Sequence, residues 1–133
     1  MRKARGFALL DALLGILIFS IGILGLVGAQ AMAMKAGGES QFRLEATQLA
    51  TSAISALRIA QPTAIPSVVS AWRARVTGYD GLGNRIAGVD GLPGAAGTPP
   101  VIAIVGQEVT VTVFWRSGAG ADLHQVTVNG TID

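Results

Sequence analysis

Cysteine is absent from the 133 residues, so disulfides, thiolate nucleophiles and cysteine-ligated metals are excluded. Histidine occurs once, at His124. One imidazole cannot supply a histidine metal cluster, and His124 reads as a solvated or packed residue on a strand. Charged residues make up 14% of the chain and aromatic rings 5%. Arg73 and Arg75 form no basic patch interleaved with rings, so no nucleic-acid interface is read. There is no phosphate-cradling Gly-Lys motif and no nucleophile with a recognisable base. The expectation is a protein with no catalytic residue, no cofactor and no metal. Proline is missing from the first 61 residues, so nothing there forces a helix to stop.

What is present begins with that proline-free stretch. Arg2, Lys3 and Arg5 precede Gly6-Phe7-Ala8-Leu9-Leu10-Asp11. From Ala12 to Met34 no charged residue occurs. At ~1.5 Å per residue that run makes roughly 34 Å of helix, enough to cross a bilayer. Asp11 sits about one turn inside the apolar run. A carboxylate in hydrocarbon costs on the order of 2.5–3.5 kcal/mol and usually has a partner. The nearest candidate is an amine freed by cutting after Gly6, on this chain or a neighbour. The formal net charge is +2, yet three of the ten basic residues precede Phe7. Without them, seven basic residues face eight acidic ones, a balance of −1. The basic charge is therefore a topology signal that keeps the N-terminus cytoplasmic.

The junction Arg5-Gly6-Phe7-Ala8-Leu9-Leu10-Asp11-Ala12-Leu13-Leu14 resembles the leader junction of type IV pilins and pseudopilins. The Val-Thr-Val-Phe-Trp-Arg segment ending at Arg116 resembles the C-terminal part of PilV-type minor pilins and of some minor pseudopilins. The resemblance implies cutting between Gly6 and Phe7 by a prepilin peptidase and N-methylation of Phe7. It places the helix-registering carboxylate at Asp11, where most members carry Glu. It implies a chain that waits in the inner membrane with its N-terminus cytoplasmic. From there it would join other minor pilins and the major pilin on a pilus assembly platform, and so reach the periplasm and cell surface. The function implied is priming of pilus assembly at or near the tip. Alternatives are a minor pseudopilin of a type II secretion system and a secreted or singly anchored binding domain. An ordinary signal peptide cut near Ala31 or Ala33 is the rival reading of the N-terminus, though the apolar run is long for one.

The expected fold is α+β: a long N-terminal helix, membrane-spanning and then amphipathic, packed on a small antiparallel C-terminal sheet. Residues 1–6 form the leader, 7–34 the membrane or filament-core helix, 35–61 its amphipathic half and 62–133 a small globular domain. Gly22, Gly25 and Gly28 give the apolar helix a narrow bare strip. Gly37-Gly38 can interrupt or soften it. Beyond them Phe42, Ala46, Leu49, Ala50, Ala53, Ile54, Leu57 and Ala60 recur at three- and four-residue steps, which predicts one buried face.

Pro62 and Pro66 mark a break, and a short helix is expected over Ser67–Val76. Residues 77–100 are glycine-rich and read as a surface loop, a natural place for a partner. Asp80, Asn84 and Asp90 there lack the spacing of an EF-hand. Val101–Val105 reads as a strand. In 108–116, Val109, Val111, Val113 and Trp115 share one face. With 123–129 this segment predicts a β-hairpin over 108–129.

Overall fold

Leucine, alanine and glycine are the commonest residues in the first third of the chain, and no proline intervenes to stop a helix. In the computed structural model, which describes residues 3–118 and 120–132, helix α1 runs without a break over Lys3–Ile59. Gly37 and Gly38 lie inside it and do not interrupt it. Each glycine costs about 1 kcal/mol against alanine, a penalty that the uninterrupted hydrogen-bond ladder on both sides offsets. The pair does mark the boundary between two compact units, Met1–Gly37 and Gly38–Asp133.

In the first unit every side chain from Phe7 to Met34 is exposed. The helix is long and apolar enough to cross a membrane, the property of a membrane anchor or of a signal sequence.

In the second unit the helix buries Ala46, Ala50, Ala53, Ile54 and Leu57, with Phe42 and Leu49 packed beside them. These are the residues that the three- and four-residue spacing selects. Alanine at three of the buried positions lets the opposing elements come close.

Two short helices follow: a 3-10 turn, Pro62–Ala64, and α2, Ile65–Thr77. Each proline falls in the first two positions of its helix, where a backbone N–H has no partner to lose. Pro66 therefore sits inside α2, and the helix starts earlier than Ser67. Gly78 ends it in the left-handed conformation, φ 76°, and its N–H donates to the Ala74 carbonyl.

Strands β1 (Val101–Val105), β2 (Glu108–Arg116) and β3 (Leu123–Thr131) form one antiparallel sheet in the order β1-β2-β3. Gly106, at φ 62°, and Gln107 turn β1 into β2. The sheet is thus three-stranded, and β3 runs past Asn129 because Gly130 and Thr131 pair with Val109 and Glu108. Val109, Val111, Val113 and Trp115 are almost wholly buried, forming the core with Ala46, Ala50, Ala53, Ile54, Leu57, Trp72, Val76, Leu92 and Ala95. The architecture is pilin-like: a long N-terminal helix packed on a small antiparallel C-terminal sheet.

Contacts along α1 fix its direction against β3. Glu39 meets His124, Ile54 meets Gly130, and Arg58 Nε donates to the Thr131 carbonyl at 3.2 Å. Both elements therefore run the same way.

Candidate functional site

The junction residues lie at the start of α1. Gly6 has helical backbone, and Phe7 is 81% exposed. Phe7 and Asp11 are four residues apart on one helix, so they share a face about one turn, ~6 Å, apart. Asp11 is exposed, and none of the ion pairs among the described residues involves it. The arrangement has one consequence for chemistry. An amine created at Phe7 would sit on the same helical face as the Asp11 carboxylate. Arg2 lies outside the described residues, as do the side chains of Lys3 and Arg5.

The glycine-rich segment is tied down along its length. Asp80 Oδ1 accepts from the N–H groups of Leu82 (2.9 Å) and Asn84 (2.8 Å), and Oδ2 accepts from Asn84 Nδ2 (3.1 Å). The backbone hydrogen bond from Asn84 is the main cause holding the Asp80 carboxyl below the usual carboxylate value. Asp90 pairs with Arg85 at 3.0 Å. Both carboxylates of this loop thus have partners within it, Asp80 in the turn itself and Asp90 in an exposed ion pair. Among the described residues no group of three or more His, Asp and Glu could hold a metal. Farther along, Leu92 N–H donates to the Val76 carbonyl and Arg116 N–H to the Pro93 carbonyl, each at 2.8 Å. Leu92, Ala95 and Pro100 are buried, so the segment covers the core.

His124 is a packing residue with one polar contact. Its ring stacks on Trp115, with centroids 5.6 Å apart. Its Nδ1 lies 3.5 Å from Glu39 Oε1. Spacing gave no warning of this contact, since the two residues come from opposite ends of the chain. Among the described residues, Trp115 Nε1 and Ser117 Oγ are buried and meet no hydrogen-bond partner.

The sheet leaves one edge conspicuously apolar. β1 is Val-Ile-Ala-Ile-Val, with Val105 75% exposed and Val101 50% exposed. Ile104 is also exposed, although it faces the same side as buried Val109. Sequence reading identified the strand but not its place at an edge.

The chain matches no family model, and comparisons with curated proteins and with solved structures found no match.

Proposed function

We propose that the chain is a structural subunit of a type IV pilus, a minor pilin that co-assembles with other pilins to prime filament growth at or near the tip. The carrying observation is the division of one continuous helix. Residues 7–34 are bare, apolar and uncharged except for Asp11, while the stretch from Gly38 onward packs its alanine face on a sheet. A helix so built needs lipid before assembly and other helices after it. In this reading a prepilin peptidase cuts between Gly6 and Phe7, and Phe7 is N-methylated. The cationic amine of Phe7 and the carboxylate of Asp11 then set the axial register between neighbouring helices. Arg2, Lys3 and Arg5 hold the leader on the cytoplasmic side of the inner membrane.

Desolvation drives the pairing of Phe7 with Asp11. A lone carboxylate among helices is costly to bury, whereas one that meets a neighbour's amine is compensated. A mis-registered helix leaves both charges unpaired, so the correct stagger is selected by the cost of the wrong ones. The glycine strip of Gly22, Gly25 and Gly28 allows close approach of the packed helices.

A pseudopilus of a type II secretion system would use the same junction, helix and sheet. Deleting the chain in its host separates the two. Loss of surface pili and twitching with secretion intact supports the pilus reading. Loss of secretion with twitching intact contradicts it and selects the pseudopilus.

A further inference from the structure

We propose that two copies of this chain pair through the outer edge of β1, antiparallel about Ala103, so that their two sheets become one. The pairing is a property of the sheet and does not depend on the filament reading.

A strand that is apolar on both faces belongs in the interior of a sheet. β1 has that composition at an edge, and the devices that usually protect an edge are missing. From Val101 to Val105 there is no charged residue, no proline and no break in register.

The register of β1 on β2 determines which backbone groups face outward. The two-residue turn Gly106-Gln107 closes on the pair Val105 and Glu108. Such a turn closes on a hydrogen-bonded pair, and hydrogen-bonded and open pairs then alternate along the ladder. Val101, Ala103 and Val105 therefore bond to β2, while Ile102 and Ile104 aim N–H and C=O away from it. Among the described residues, no backbone hydrogen bond outside the strands and helices reaches Ile102 or Ile104.

The occupant follows from the order of side chains. A two-fold interface sets residue i against j and j against i, so the surface must complement itself. Val-Ile-Ala-Ile-Val reads the same in both directions. With the axis at Ala103, valine meets valine, isoleucine meets isoleucine and Ala103 meets its own counterpart. The same axis sets Ile102 against Ile104 of the second copy, and these are the residues with outward N–H and C=O groups. Each such pair exchanges both of its hydrogen bonds. Ile104 is 39% exposed although it faces the side of buried Val109, and Ile102 of the second copy would lie beside it. Of the residues paired with β1 only Glu108 carries a charge, and the two-fold puts its two copies at opposite ends of the pair. Pro100 has no N–H, so the new ladder ends there. Joining closes both apolar edges at once, and the outer edges are then the two β3 strands. Assembly through β1 therefore stops at two copies. Five residues a side make a small interface, so the pair is reversible and is best read by trapping it.

The chain has no cysteine, so a single introduced thiol reports on one position. The test uses the purified full chain in detergent micelles under mild oxidation. At the axis, the Cα atoms of an open pair lie about 4.5 Å apart, within disulfide range. Ala103→Cys is expected to form disulfide-linked dimers about tenfold or more faster than Val101→Cys or Val105→Cys, whose own counterparts lie about 13 Å away along the strand. Mixing Val101→Cys with Val105→Cys should link the two variants to each other. Adding Ile104→Pro to Ala103→Cys removes an outward N–H and should abolish the link while amide exchange in β2 stays slow. Equal rates at positions 101, 103 and 105 would mean association through the apolar helix alone and overturn the proposal. No link at 103 in the purified chain also overturns it, and is the result expected if β1 pairs with β3 of another copy or with a different protein. An undiminished link with Ile104→Pro and an intact β2 overturns the hydrogen-bonded pairing. Cutting or non-cutting after Gly6 leaves each of these results unchanged, so this proposal and the filament reading fail separately.

Discussion

Ile54 fills the space that a side chain on Gly130 would need. A Cβ at Gly130 would lie 2.6 Å from Ile54 Cγ2 and 3.1 Å from Cδ1. The glycine in β3 therefore lets α1 approach the sheet closely at this point. The approach is side chain on backbone, so one partner is free to be trimmed.

Gly130→Ala is expected to destabilise the chain by about 1–3 kcal/mol, the usual cost of overpacking. Ile54→Ala should also destabilise, because it opens a cavity. The double variant should lose less than the two singles combined, since the smaller side chain at 54 makes room for the methyl added at 130 and that methyl partly fills the cavity. Denaturant unfolding of all four proteins measures the coupling. Strict additivity would mean that helix and strand do not meet here.

Gly91→Ala is expected to be worse and not rescuable. A Cβ there would lie 2.3 Å from the Thr77 carbonyl carbon and 2.4 Å from Gly78 N, and both are backbone atoms. No side-chain trimming can relieve that contact. The loop should detach from the end of α2, exposing the Leu92 amide that donates to Val76. Rapid exchange of that amide in the variant is the expected result. Exchange as slow as in the parent would place Gly91 away from α2.

Trp72 ties α2 to α1. Its Nε1 donates to the Leu49 carbonyl at 2.8 Å, and its ring is buried. Trp72→Phe removes the donor and part of the ring, at an expected cost of about 1–2 kcal/mol. Trp72→Ala should cost about 3–5 kcal/mol. Thermal unfolding followed by circular dichroism ranks the two. Equal losses would show that packing is not what holds the ring.

Acid should loosen the turn at Asp80. Its carboxyl is held below the usual value chiefly by the Asn84 N–H, with help from the Asn84 side chain and the Leu82 and Gly83 N–H groups. Because the folded value is depressed, the unfolded loop takes up the proton first as pH falls. The stabilisation is present above the usual carboxylate range and disappears as pH drops through the lowered value. The amide resonances of Leu82 and Asn84 should be constant between about pH 7 and 5 and move only below the usual range. Asp80→Asn should remove that movement. Titration of those amides near neutral pH would contradict the assignment.

Periodicity carried much of the fold. The buried positions Ala46, Ala50, Ala53, Ile54 and Leu57 are the face that three- and four-residue steps select, and Val109, Val111, Val113 and Trp115 follow strict alternation. These residues were legible because each element buries one side of a regular surface. Elsewhere local rules met competing forces. Gly37-Gly38 suggested a break, but a long helix carries two glycines when its ladder continues on both sides. Pro66 suggested a boundary, yet proline in a first helical turn loses no hydrogen bond. The glycine-rich loop gave no period, and its close packing depends on contacts with Val76 and Arg116 that are distant in sequence. His124 beside Glu39 was invisible for the same reason. Of the junction, residue types and spacing were legible at once. The chemistry expected of it depends on an enzyme and on neighbours outside this chain.

The central claim is tested most directly at the N-terminus. The chain should be purified from membranes or filaments of its own host and the mass of its first peptide determined. A chain beginning at N-methylated Phe7 is the predicted result. A start just after Ala31 or Ala33 would identify an ordinary signal peptide, and an intact Met1 would identify an unprocessed anchor. Either of those results contradicts the account.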